Sequence, residues 1–134
     1  MTMSTEVSEI RKQHTVLIVD DEDEVRDMLR RILKLSSYRV LEAQSAEEAM
    51  EIALREKPDV ITMDIMMPDK DGITLCQEIK ANPETKHIPV VMVTVVGQRQ
   101  RAMTAGADYF MNKFFTIDEL VSVIDKLIAD KQTA

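Results

Sequence analysis

At 134 residues the chain has room for one domain with a real apolar core, and 45% apolar with 31% charged residues is the balance of a folded globular protein. Twenty-four acids against seventeen bases leave a net charge of -7, which repels phosphate backbones and argues against direct nucleic-acid binding. Residues 1–14 hold no apolar run that would make a signal peptide, Val90–Val96 is far too short to cross a bilayer, and a lone Cys76 excludes an internal disulfide. A soluble cytoplasmic protein that does not engage a membrane is expected.

Residues 1–13 read as a loose, flexible tail, with one folded domain over 14–130. Val16–Val19 is a β-branched run ending in Asp20 and Asp21, and Val25, Met28, Leu29, Ile32 and Leu33 then recur at helical spacing. Tyr38–Ala43 reads as a second strand. Ser45 with Glu48 three residues on is a capping box, opening a helix whose buried face is Ala46, Ala49, Met50, Ala53 and Leu54. Val60–Met63 and Val90–Val93 are apolar runs, which suggests strands buried on both faces of a parallel sheet. Between them Asp69, Lys70 and Asp71 read as turn chemistry before Gly72, and Ile73, Cys76 and Ile79 mark a third helix. Ala102–Ala105 lies in a fourth helix. Tyr109–Met111 is the last strand, and a helix capped by Thr116 with Glu119 carries Ile117, Leu120, Val121, Ile124, Leu127 and Ile128. Five strands alternating with five helices predict an α/β fold, with helices on both faces of one parallel sheet.

In such sheets functional groups gather at the carboxyl ends of the strands. Asp20, Asp21, Asp64, Thr94 and Lys113 all fall there. Each like-charged carboxylate pair at 4 Å costs about 4 kcal/mol at an effective dielectric near 20, so one acid protonates or a cation neutralises the set. An all-oxygen site with room for water suits Mg²⁺ better than zinc. A cation beside a carboxylate and a lysine is a place to transfer or hold a phosphoryl group.

The motifs LIVDDE at 17–22, DVITMDIMMPDKDG at 59–72, VVMVT at 90–94 and GADYFMNK at 106–113 closely resemble the receiver domain of two-component response regulators, over Thr15–Leu127. The resemblance implies a five-stranded parallel sheet in the order 2-1-3-4-5. It makes Asp64 the nucleophile that accepts a phosphoryl group from a phosphohistidine on a sensor histidine kinase or phosphotransfer protein. Asp20, Asp21, Asp64 and the backbone carbonyl of Met66 would hold Mg²⁺. Lys113 would pair with the phosphoryl oxygens, Thr94 would hydrogen-bond one of them, and Phe110 would be the aromatic switch that packs inward once Thr94 moves. The implied output is a conformational shift that controls a downstream protein target, not bulk turnover; the only chemistry is the protein's own phosphorylation and slow dephosphorylation.

Three departures from the family pattern carry expectations. Phe114 replaces the proline that usually follows the lysine, which predicts a trans bond and a rearranged loop around Lys113. Val95, Val96 and Met66 supply no group to orient an attacking water. A slow-forming, long-lived acyl phosphate follows, to be measured as the decay of the phosphorylated protein after its donor is removed. The segment from Thr94 to Gly106 is about one helical turn short.

His14 and His87 read as isolated surface residues, Cys76 as packing, Met63, Met92 and Met111 as core filling, and Arg99 and Arg101 as a solvated face. With no DNA-binding or catalytic segment after Leu127, a stand-alone receiver is expected, with the first domain of a longer regulator as the alternative. A degenerate receiver acting as a phosphorylation-independent interaction module is the competing function. A phosphatase would need an acid where Met66 stands, and a flavin carrier would need a Ser/Thr/Gly-rich phosphate loop after the first strand.

Overall fold

In the computed structural model, residues 2–94 and 98–133 are described. After a first helix α1 (Thr2–Arg11), strands β1 (Thr15–Val19), β2 (Arg39–Ala43), β3 (Val60–Met63), β4 (Val90–Thr94) and β5 (Tyr109–Asn112) alternate with helices α2 (Asp23–Leu35), α3 (Ala46–Glu56), α4 (Gly72–Ala81), α5 (Arg99–Thr104) and α6 (Ile117–Thr133). All strand pairs are parallel and the order is β2-β1-β3-β4-β5, as the family resemblance implies.

The two-residue period of the strands sorts their side chains into two cores. Leu17, Val19, Ile61, Met63, Val90 and Met92 pack against α3, α4 and α5. Val16, Ile18, Val60, Val91, Val93 and Met111 pack against α2 and α6. Near-continuous apolar strands follow directly from this, since both faces of the sheet are covered. Among the described residues no helix is long and apolar enough to cross a membrane.

The predicted caps form. Ser45 Oγ accepts from the Glu48 amide at 3.2 Å, while the Glu48 carboxylate reaches back to the Gln44 amide at 3.3 Å. Thr116 Oγ1 accepts from the Glu119 amide at 3.1 Å. Cys76 is fully buried on α4, where loss of hydration pushes its thiol up to about 11, so it packs and does not react.

Two expectations at the N-terminus are corrected. The first residues are not a loose tail: Thr2–Arg11 is helical, and its last residue docks on α6 through a two-pronged ion pair, Arg11 Nε to Asp125 Oδ1 at 3.1 Å and Arg11 Nη2 to Asp125 Oδ2 at 2.6 Å. The buried Tyr38 hydroxyl donates to the same carboxylate, and the Arg11 guanidinium lies over the Tyr38 ring, 5.8 Å from its centre. His14 is buried rather than superficial, its Nδ1 2.8 Å from the Ile10 carbonyl oxygen. His87 is exposed, as expected. The tail's polar composition conceals its helix because one arginine, pairing across 114 residues of sequence, supplies the anchor.

Candidate functional site

Backbone pairing carries the site residues to one edge of the sheet. Asp64 donates its amide to Val19 at 3.1 Å and Asp20 donates to Ala43 at 3.1 Å, so both acids sit one step beyond their strands and level with each other. Thr94 closes β4 and its carbonyl accepts from the Lys113 amide at 3.1 Å, which sets the lysine just past β5. Asp20, Asp64 and Thr94 are buried; Asp21 is exposed beside them. Five residues from four strand ends are thus brought together as the sequence predicts.

Lys113 is the counter-charge. Its ammonium donates to Asp64 Oδ2 at 3.1 Å and lies 3.3 Å from Asp20 Oδ2 and 3.9 Å from Glu22 Oε1. Burial alone would lower its pKa, but the Asp20 and Asp64 carboxylates outweigh that and hold it above the ordinary lysine value. Asp20 is moved upward, chiefly by burial, against the pull of the Glu22 amide hydrogen bond at 2.9 Å and of Lys113. No peptide bond among the described residues is cis. Phe114 accordingly leaves the chain trans and points outward at 85% exposure, yet the lysine still reaches the acids. The turn is held by the Phe114 amide donating to Asn112 Oδ1 at 2.9 Å.

Carboxylate oxygens of Asp20, Asp21, Glu22 and Asp64 lie within 4.8 Å of one another. Glu22 is the member that sequence reasoning missed. It stands in the LIVDDE run, but its place three residues past β1, just before α2, gave no reason to turn it back toward the acids. Arg26 is a second omission. Its guanidinium donates to the Asp20 carbonyl oxygen at 2.6 Å and also binds Asp23, so the first turn of α2 fixes the end of β1.

Asp69 is a third. It reads as local turn chemistry, yet its carboxylate accepts from the Ala46 and Glu47 amides, both at 3.2 Å. The loop after Asp64 is thereby tied to the start of α3. Desolvation works against the ionised form, but these backbone donors hold Asp69 below the usual carboxylate range. Asp71 does cap its own helix, accepting from the Thr74 amide at 2.8 Å.

Met66 is exposed at the rim, Phe110 is half-buried and already packs against the core beneath α4 and α5, and α5 has only six residues. Val95 and Val96 lie outside the described residues.

The family model of the response regulator receiver domain matches residues 16–125. The chain is 36% identical over 111 residues to the phosphate regulon transcriptional regulatory protein PhoB of Pseudomonas aeruginosa, covering 81% of this chain and 48% of that protein. It is 32% identical over 116 residues to the DNA-binding dual master transcriptional regulator RpaA of Synechocystis, covering 84% of this chain and 48% of that protein. The chain therefore spans about half the length of these relatives. Among solved structures, a response regulator of Chloroflexus aurantiacus superimposes with a TM-score of 0.83 at 37% identity, over 87% of this chain and 98% of that one. The chemotaxis response regulator CheY4 of Vibrio cholerae gives 0.79 at 26% identity, over 85% of this chain and 98% of that one. The matched span runs through all five strands and takes in Asp20, Asp21, Asp64, Thr94 and Lys113, and this chain belongs to the response regulator receiver domains of two-component systems.

Proposed function

We propose that this receiver accepts a phosphoryl group on Asp64 from a phosphohistidine of a sensor histidine kinase or phosphotransfer protein, and that the change in charge alters its hold on a downstream protein. The family is one of signalling modules rather than classical enzymes. The observation that carries the reading is the Lys113 ammonium shared between two buried carboxylates, 3.1 Å from Asp64 and 3.3 Å from Asp20. A lysine so placed sets a positive charge against Asp64 and stands ready for the oxygens that a phosphoryl group would bring.

The donor set is all oxygen and strongly acidic, which fits a hard divalent cation and not a nitrogen- or sulfur-seeking one. Asp20, Asp21 and Asp64, with the Met66 backbone carbonyl, would hold Mg²⁺, and Glu22 adds a fourth carboxylate to the cluster. When bound, the ion supplies positive charge against the oxygens of the transferring group. An Asp64 carboxylate oxygen forms the new bond to phosphorus while the phosphorus–nitrogen bond of the donor breaks and the imidazole leaves with the electron pair. Lys113 and the Thr94 hydroxyl bind the phosphoryl oxygens, and Phe110 follows Thr94 as the switch residue.

The test is acetyl phosphate with Mg²⁺, followed by intact mass. Wild-type protein should gain one phosphoryl group, and the gain should vanish in Asp64→Asn and on chelation of the metal. An unmodified wild type would leave the interaction-module reading, in which Phe114 and the neighbouring surface bind a partner without phosphorylation.

A further inference from the structure

Lys113 approaches Asp64 together with Asp20 and Glu22. Elsewhere on the rim, the loop that follows Asp64 borders an open cleft, walled by Asp21, Met66, Asp71, Gln98 and Arg101. Asp21 has a carboxylate oxygen within 4.8 Å of one on Asp64, so a group built on Asp64 stands at the mouth of this cleft. Four carboxylates against one lysine leave the cluster short of positive charge even with a divalent ion added. A phosphoryl group deepens the deficit.

Arg101 is placed to meet it. The residue is exposed on α5, and its guanidinium donates to the Gln98 side-chain oxygen, a neutral amide about one turn back. That contact can be released without stranding a charge. A guanidinium also matches phosphoryl oxygens two at a time, which an ammonium cannot do. Arg99, two residues earlier on the same helix, lines a different cleft with Gln100, Met103 and Thr104.

We propose that Arg101 is a second phosphoryl-recognising cation: on modification of Asp64 it leaves Gln98, forks onto the phosphoryl oxygens and draws α5 toward the acids. The inference rests on the phospho-acceptor reading above and adds a residue that couples this short helix to the state of the site.

Beryllofluoride, a tetrahedral stand-in for the phosphoryl group, can be titrated calorimetrically at saturating Mg²⁺ into wild type, R101Q, R101K and R99Q. R101Q should bind it about tenfold more weakly, the loss of a charge-assisted pair. R101K should recover part of the affinity, and R99Q should match wild type. Mg²⁺ affinity and the thermal midpoint should be unchanged in R101Q, which a merely structural role would not allow. Equal beryllofluoride affinity in R101Q and wild type, or an equal loss in R99Q, overturns the assignment of Arg101 while leaving Asp64 as acceptor. A wild type that takes up no beryllofluoride with Mg²⁺ present removes the acceptor reading, and this inference with it.

Discussion

Replacing Lys113 with methionine should lower stability at pH 7 by roughly 3 kcal/mol in metal-free buffer, read from urea unfolding, because it strips the shared cation from two buried carboxylates. The methionine keeps most of the apolar stem, so the loss reports charge rather than packing. The pH dependence fixes the cause. A carboxyl whose folded pKa is raised binds more protons folded than unfolded, so its contribution is most favourable at low pH and is lost as pH rises through the folded value. Asp20 is already raised by burial, with Lys113 opposing that shift. Without the lysine Asp20 should move higher, and the stability gap between variant and wild type should narrow from pH 7.5 to pH 5. The lysine's own raised pKa has the complementary signature: its contribution is complete below the unfolded value of 10.5 and fades as pH climbs through the folded one. Comparing the two proteins at each pH cancels the surface ion pairs common to both. Millimolar Mg²⁺ should restore much of the lost stability to the variant. A variant as stable as wild type at pH 7 would mean that the three groups are not charged together in the folded state.

Why the acids were legible and their support was not is a matter of range. Strand ends and helix stripes depend on neighbours within a few residues, so the apolar run at Val16–Val19 places Asp20, and that at Val60–Met63 places Asp64, before any tertiary fact is known. Convergence then follows from parallel pairing, which stacks all strand ends on one edge. The residues that brace the site act across the chain or back along it. Asp69 reaches the start of α3 over 23 residues, and Arg26 turns back onto the Asp20 carbonyl. A helix of polar composition over Thr2–Arg11 depends on Asp125, at the far end of the sequence. Nothing local distinguishes these side chains from solvated ones. His14 illustrates the same limit: its burial is decided by α1, which the pattern of residues 1–13 does not announce.

Gly72→Ala should be strongly destabilising. A Cβ at Gly72 would sit 2.1 Å from the carbonyl oxygen of Asp64, 2.9 Å from its carbonyl carbon and 3.0 Å from the Ile65 Cα. These are backbone atoms, which have no rotamer in which to escape. The Gly72 amide also donates to the Ile65 carbonyl at 2.7 Å, so the loop from Asp64 closes tightly onto the first turn of α4. Alanine's better helix propensity returns about 1 kcal/mol at most. Overpacking typically costs 1–3 kcal/mol and more where nothing can yield, so a net loss of about 3 kcal/mol is expected from urea unfolding. Either α4 lifts off the loop or the Asp64 backbone moves, and movement of Asp64 by even a fraction of the clash withdraws its carboxylate from Lys113. Phosphoryl uptake from acetyl phosphate should therefore fall at least as far as stability does. Gly106→Ala is the matched control. Its φ of +102° makes alanine strained, but its Cβ would meet the side chain of Lys80 at 2.9 Å, and that chain can shift. It should lose stability and keep phosphoryl uptake. Wild-type stability and uptake in Gly72→Ala would show that the loop after Asp64 does not depend on contact with α4.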